Sequence, residues 1–539
     1  MNLHYRVFRF SVLFFLCLVL FLPHAFCQTA QPDRGFDYAE PRARPRANDE
    51  LLVAFSRSNL ELDFRRSIMA SEAQLFTAIY EGLFSYHPLT MEPVPAAANR
   101  WEVSEDRKTW TFFLRENARF QNGDPLRAED FRASWLSLIE PGRDAPYASL
   151  FDIISGAREF RLGRGRAEDV GIFAPGEKTL VVQLNSPAAF FPSMLCHHSF
   201  SPVHPVMLRV ENWNLPISNG PFYIDEITSE HLVFLKNPYY WDADRVSLNR
   251  ITIKFTEDGL DAAALWNSGE AQWIHGDVDF AALTDRSGIE VNAIFATHYY
   301  YIRSVRKPWD DYRLRRALSL ALPWDRIRDG HFIPAQTLIF PIPNYPGVEG
   351  LEETNIEEAK RLLEEAGFPG GAGLPELVIR IPPSQEADRI AHLMAETWYT
   401  ILGVPVRLDV VPFRQYIESL KLDDHDVASI TWIGDFADPY TFLKMWRRDS
   451  NLNDAHHYDS EFEALMERSM FEEGNTRWET LAEAEALLLA RGNILPIAHS
   501  LAVNIIDLHE IGGWFPNVLD IHPFKYISIR IRRPLPGMI

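Results

Sequence analysis

The feature that most limits how this chain can fold is a regular exchange of strand-like and helix-like patterns along its second half. β-rich apolar runs at 250–255, 377–381, 404–411 and 427–432 trade with helical spacing at 259–268, 385–402, 460–471 and 476–491. Strands feeding helices in this way build a sheet covered by helices, the α/β class. Residues 310–327 carry helical spacing at Leu314, Leu318 and Leu322, which Pro323 is predicted to bend or end. Asn355 with Glu358 predicts a capped helix start, and Gly367 its end. The part before residue 249 is richer in strands, at 110–114, 180–184 and a hairpin at 222–227 and 232–235, with an apolar strand LLVAF opening the fold near Glu50. Helices are predicted there at 71–82 and 128–139. A chain of 539 residues exceeds what one core can serve, so two or three domains are expected.

The first 27 residues read as an export signal. Arg6 and Arg9 precede an apolar block at 10–22 that Pro23 breaks. The block is shorter than the roughly 20 apolar residues a membrane span needs. Cleavage after Cys27 and lipidation of Cys27 both remain open, although Phe26 departs from the small residue usual before a lipidated cysteine. Residues 28–48, rich in Pro, Arg and Ala, read as a flexible tether. The mature chain is therefore expected to be soluble outside the cytoplasm. Of its three cysteines only Cys196 lies in the folded part, which excludes an internal disulfide and a thiolate metal site there. A net charge of −21 without any basic run excludes nucleic acid as a partner.

Catalytic signatures are missing. The sequence has no GxSxG elbow, HExxH pair, Walker lysine loop or post-strand GxGxxG. His197-His198 and His456-His457 are adjacent, whereas two ligands on one helical face need a spacing of three or four. No metal is expected on them. Asp258 and Asp261 are expected to serve a helix start, and Asp310-Asp311 and Asp423-Asp424 to flank helices as solvated charge. The stretch at 429–442, SITWIGDFADPYTF, instead sets Trp432 and Asp435 together at a strand end. A carboxylate beside a large aromatic suits a ligand with an ammonium group and an apolar stem. The ordinary alternative for such an aspartate is a turn or cap before Pro439, a role that Asp438 fills more naturally.

Several blocks, in order, carry a resemblance: EGLFSYHP, WEVSEDRKTWTFFLRENARFQNGDPLRAEDFRASW, SNGPFYIDEI, KNPYYWDADRVSLNRITIKF, RRALSLALPWDRI, AKRLLEEAGF and WIGDFADPYTFL. Together they resemble the bacterial oligopeptide- and dipeptide-binding proteins of ABC importers, the extracellular solute-binding proteins of family 5. The resemblance implies a two-lobed periplasmic-binding-protein fold of the α/β class, with an extra small domain and a ligand enclosed between lobes. Its implied division is 1–27 signal peptide, 28–48 tether, 49–80 lobe I, 81–204 small domain, 205–302 lobe I again, 303–502 lobe III and 503–539 a return to lobe I. It further implies a monomeric binding protein without enzymatic activity, cofactor or metal, which takes a peptide to membrane permease subunits driven by cytoplasmic ATPases. Within the same fold, a non-peptide solute or a binding-only receptor or chaperone role stays open.

By position, the resemblance makes Asp435 the partner of a peptide α-ammonium and Trp432 a pocket wall. Phe413 and Tyr147 match pocket aromatics, and strand residues Ala70 and Thr431 match positions whose main chain pairs with an extended peptide. His499 and Ser500 stand where pocket tyrosines are usual. Leu420 and Ser429 occupy the places of basic residues that meet a peptide carboxylate, so that end of the ligand has no expected partner.

Overall fold

The computed structural model describes residues 49–530, apart from 58, 59, 211, 212 and 343. The export signal, the tether and Cys27 lie outside the described residues. Among those described, no helix is long and apolar enough to cross a membrane.

A ten-stranded sheet runs through the molecule. Its order is Val406–Val410, Leu377–Ile381, Val427–Ile433, Ile289–Ile302, Ile494–Ile506, Trp273–His275, Glu50–Ser56, Arg250–Thr256, His231–Lys236 and Phe222–Ile227. Both flanks carry parallel pairs, and helices make the crossovers that parallel strands require. Glu50–Ser56 is parallel to Arg250–Thr256 and to Trp273–His275, with helix Gly259–Asn267 between the latter two in sequence. Leu377–Ile381 is parallel to Val406–Val410 and Val427–Ile433, with helix Gln385–Leu402 crossing between the first two. That helix has local signals at both ends: the Ser384 side chain accepts from Ala387 N–H, and Gly403 closes it in the left-handed region. Asn355 likewise accepts from Glu358 N–H, and the helix at 312–321 stops before Pro323 as its ring demands.

The two halves of the sheet meet at two long antiparallel strands. Ile289–Ile302 and Ile494–Ile506 pair from Ile289↔Ile505 to Tyr301↔Ile494, with an irregularity between Ala293 and Thr297. At one end Ile506 pairs with Trp273, and at the other Ile302 pairs with Val427. The strand at 289–302 has no counterpart among the sequence expectations. Its second half, Phe295 to Ile302, is buried almost throughout, so the alternation that marks a one-sided strand is missing.

Residues 81–204 hold a separate four-stranded sheet, ordered Ala98–Val103, Thr109–Leu114, Thr179–Gln183 and Ile172–Gly176, packed on helix Ala128–Leu138. The C-terminal segment returns to the first helix, Ala70–Ile79, and to Glu81 just beyond it. Gln74 donates to the His522 carbonyl at 2.8 Å and accepts its N–H at 2.7 Å, and Lys525 pairs with Glu81 at 2.9 Å.

One expected strand residue is corrected. Ala70 is the exposed first residue of helix Ala70–Ile79, not part of a strand. The run ASEAQLFTAI is made mostly of helix formers, and Met69 hands its carbonyl to Ala73 N–H to open the first turn.

Candidate ligand-binding site

Strand Val427–Ile433 delivers Trp432 and then turns at Gly434 to present Asp435. The turn needs glycine, because a Cβ at 434 would lie 2.6 Å from Phe295 Cδ1 and 3.0 Å from Thr441 Cγ2. The chain then folds back on itself. Asp435 N–H donates to Thr441 Oγ1 at 2.9 Å, and Thr441 O–H donates to Asp435 Oδ2 at 2.9 Å. Lys444, one helical turn beyond Thr441 and on the same face, places its Nζ 2.7 Å from the same oxygen. Asp438 caps the short helix Tyr440–Leu443 by accepting Tyr440 N–H at 2.9 Å, and its two oxygens take both terminal nitrogens of Arg477 at 2.8 and 2.9 Å.

The second wall comes from residues 81–204. Tyr86 O–H donates to the Asp435 carbonyl at 3.3 Å. His197 Nε2 lies 3.8 Å from Asp435 Oδ1, and the Tyr147 ring sits 4.5 Å from His197 and 6.4 Å from Trp432 by centroids. Phe190 stacks on Phe436 at 6.1 Å with ring planes 8° apart. The Asp435 and Lys444 side chains are only 4% and 2% exposed. Burial lifts the Tyr147 phenol well above its usual range, with the Asp435 charge adding to it. Burial also pushes His197 and His198 well below the usual imidazole range, and so keeps both neutral. It lowers the Lys444 ammonium too, while Asp435 holds against that shift.

The remaining expected residues are spread more widely. Thr431 is exposed, and its Oγ1 lies 3.1 Å from His298 Nδ1. Being next to Trp432 in a strand, it points to the opposite face of the sheet. Its main chain borders an open edge. Of strand Val427–Ile433, Leu377–Ile381 reaches only Val427 and Ala428, and beyond them no strand lies on that side among the described residues. Ser429 uses that side to exchange bonds with the Tyr416 hydroxyl, at 2.8 and 3.1 Å, and Thr431, two residues on, faces the same way. Phe413 opens helix Phe413–Ser419 at 60% exposure, and makes no ring contact with Trp432 or Tyr147. Ser500 is half-buried in strand Ile494–Ile506, beside His499, which sits 2.9 Å from Thr297 Oγ1. Thr297 pairs across the sheet with Trp432 on one side and His499 on the other. Leu420 and Ser429 are both buried.

Sequence reasoning missed Lys444, Thr441, Tyr86 and the role of His197-His198. The T-x-x-K spacing after Asp438-Pro439 is the one local signal for the first pair. The adjacent histidines lie where the chain passes from helix Phe191–Met194 into a short 3-10 turn at His198–Phe200, so neither helical nor strand spacing applies. Their rings sit 3.9 Å apart. Among the described residues no three His, Cys, Asp or Glu side chains are grouped to hold a metal.

Two lobes joined by paired crossing strands define the periplasmic-binding-protein class of fold. The similarity to a solved periplasmic oligopeptide-binding protein (OppAIV) from Borrelia burgdorferi agrees, with a TM-score of 0.80 at 25% identity over 89% of this chain and 100% of that one. The model for bacterial extracellular solute-binding proteins, family 5, matches residues 92–454, and the chain belongs to that family. The oligopeptide-binding protein OppA of Bacillus subtilis is 29% identical over 434 residues, 75% of this chain and 79% of its own length. The periplasmic oligopeptide-binding protein OppA of Salmonella typhimurium is 28% identical over 495 residues, 87% of this chain and 90% of its own.

Proposed function

We propose that the chain is the extracytoplasmic substrate-binding component of an ABC importer, which captures oligopeptides and delivers them to a membrane permease. The observation that carries this reading is the open strand edge at Thr431, beside the enclosed residues Trp432, Asp435 and Tyr147. An edge with unused main-chain groups pairs with any extended peptide, because every peptide offers the same N–H and C=O groups. The names of the two curated relatives, both oligopeptide-binding, support the same ligand class.

In this reading Thr431 supplies main-chain bonds, while Trp432, Tyr147 and Asp435 enclose one end of the ligand. Phe413, Ala70 and Ser500 join the ligand site in this reading by family position. The ligand acts by favouring the closed arrangement, in which residues 81–204 meet the Asp435 segment. Affinity near micromolar, about −8 kcal/mol, is enough to load and still release. The protein performs no covalent chemistry on its cargo and works as an exported monomer.

Native mass spectrometry of the purified exported protein, followed by release and sequencing of what it carries, tests the proposal. A heterogeneous set of short peptides is expected. A single homogeneous non-peptide solute would overturn it.

A further inference from the structure

The family resemblance assigns Asp435 to a ligand's ammonium, yet in this chain the carboxylate already holds one. Asp435 Oδ2 takes the Thr441 hydroxyl at 2.9 Å and the Lys444 ammonium at 2.7 Å. Lys444 is enclosed with it, its Nζ lying 5.6 Å from the Tyr147 ring centre and 5.9 Å from that of Phe436. The other carboxylate oxygen faces His197 Nε2 at 3.8 Å. One buried anion and one buried cation leave the Asp435–Lys444 pair neutral before any ligand arrives. A second ammonium would set two cations on one carboxylate, in a place where charge is poorly solvated. A separate observation points to what a ligand brings instead. Trp432, 4% exposed, has a buried indole N–H with no hydrogen-bond partner among the described residues, a donor that a carbonyl oxygen would satisfy.

We infer that Lys444 determines the specificity of this chamber: it supplies the ammonium that Asp435 requires, so the chamber takes a peptide end that carries none, such as an acylated or cyclised amino end. The inference rests on the peptide-receptor reading above and names the peptide class. Lys444 is here a positioning residue for selectivity, not a group that reacts.

The test is a competition on the exported full-length chain, freed of carried ligand by dialysis. Two mass-tagged pools of random tri- to hexapeptides are offered together, one with free amino ends and one N-acetylated, and the retained peptides are counted by mass spectrometry. The wild type is expected to retain acetylated peptides at least tenfold over free ones. Lys444→Gln, which leaves Asp435 without its cation, is expected to shift that ratio at least tenfold toward free amines. Lys444→Arg, which keeps the charge, is expected to keep the wild-type ratio, and it stands with the wild type as the deciding pair if Lys444→Gln does not fold. A wild type that prefers free amines, or a Lys444→Gln protein with an unchanged ratio, overturns the inference and leaves the peptide reading intact. Retention of neither pool overturns both.

Discussion

Asp438→Asn is the perturbation whose size the geometry defines best. Asp438 and Arg477 form a two-pronged pair at 2.8 and 2.9 Å, with side chains 11% and 7% exposed. The guanidinium lies over the Phe190 ring at 4.3 Å and 5.9 Å from that of Tyr440, two rings whose centroids are 5.7 Å apart. Asparagine keeps an oxygen for the Tyr440 N–H, so the helix cap, which is worth about 1 kcal/mol, survives. The charge does not survive, and Arg477 is left buried without a counter-ion, at a cost of about 3–5 kcal/mol. Arg477→Leu alone strands Asp438 in the same way. The double variant removes both charges and is expected to be less destabilised than the sum of the singles by at least about 2 kcal/mol. Urea unfolding followed by tryptophan fluorescence, with each transition fitted separately, gives the four stabilities. Because the Asp438–Arg477 pair anchors the start of the helix that leads into Lys444, Asp438→Asn is also expected to weaken peptide retention. A single-variant cost below about 1 kcal/mol, or strictly additive singles, would refute the claim that this buried pair holds the Asp435 loop.

Three further outcomes follow from single residues. Burial raises Glu485, which accepts from Ile339 N–H and Tyr345 O–H, to about 7, so the folded protein favours its protonated form. That contribution is full below the ordinary carboxyl range and is lost as pH rises through 7. Glu485→Gln is therefore expected to stabilise by about 3 kcal/mol at pH 8 and by almost nothing at pH 4, as read from denaturation midpoints. Thr431→Pro removes an N–H on the open strand edge, where proline is tolerated. Peptide affinity by calorimetry is expected to fall at least tenfold with the melting temperature nearly unchanged, and an unchanged affinity would remove that edge from the site. Gly434→Ala drives a methyl to 2.6 Å from Phe295 Cδ1 and is expected to cost about 1–3 kcal/mol by the same urea assay.

What the sequence alone determined is what short-range chemistry decides. Ser384 and Gly403 carry the ends of helix Gln385–Leu402 in their own side-chain and backbone preferences, and Pro323 must interrupt its helix wherever it is placed. Asp438 was legible as a cap because capping reaches only two residues along the chain. Trp432 and Asp435 stood out as a pair because they are neighbours in sequence. Tertiary structure decided the rest. The strand Ile289–Ile302 is not legible in the sequence because burial on both faces erases the alternation that reveals a strand. The family resemblance makes Ala70 an extended residue, although its own sequence favours the helix it opens. The enclosure of Asp435 depends on Tyr86, 349 residues away, and on Tyr147 and His197, which approach only when residues 81–204 pack against its loop. That enclosure removes the water that would otherwise screen Lys444 from Asp435. It turns a lysine that the sequence leaves inconspicuous into the buried partner of Asp435.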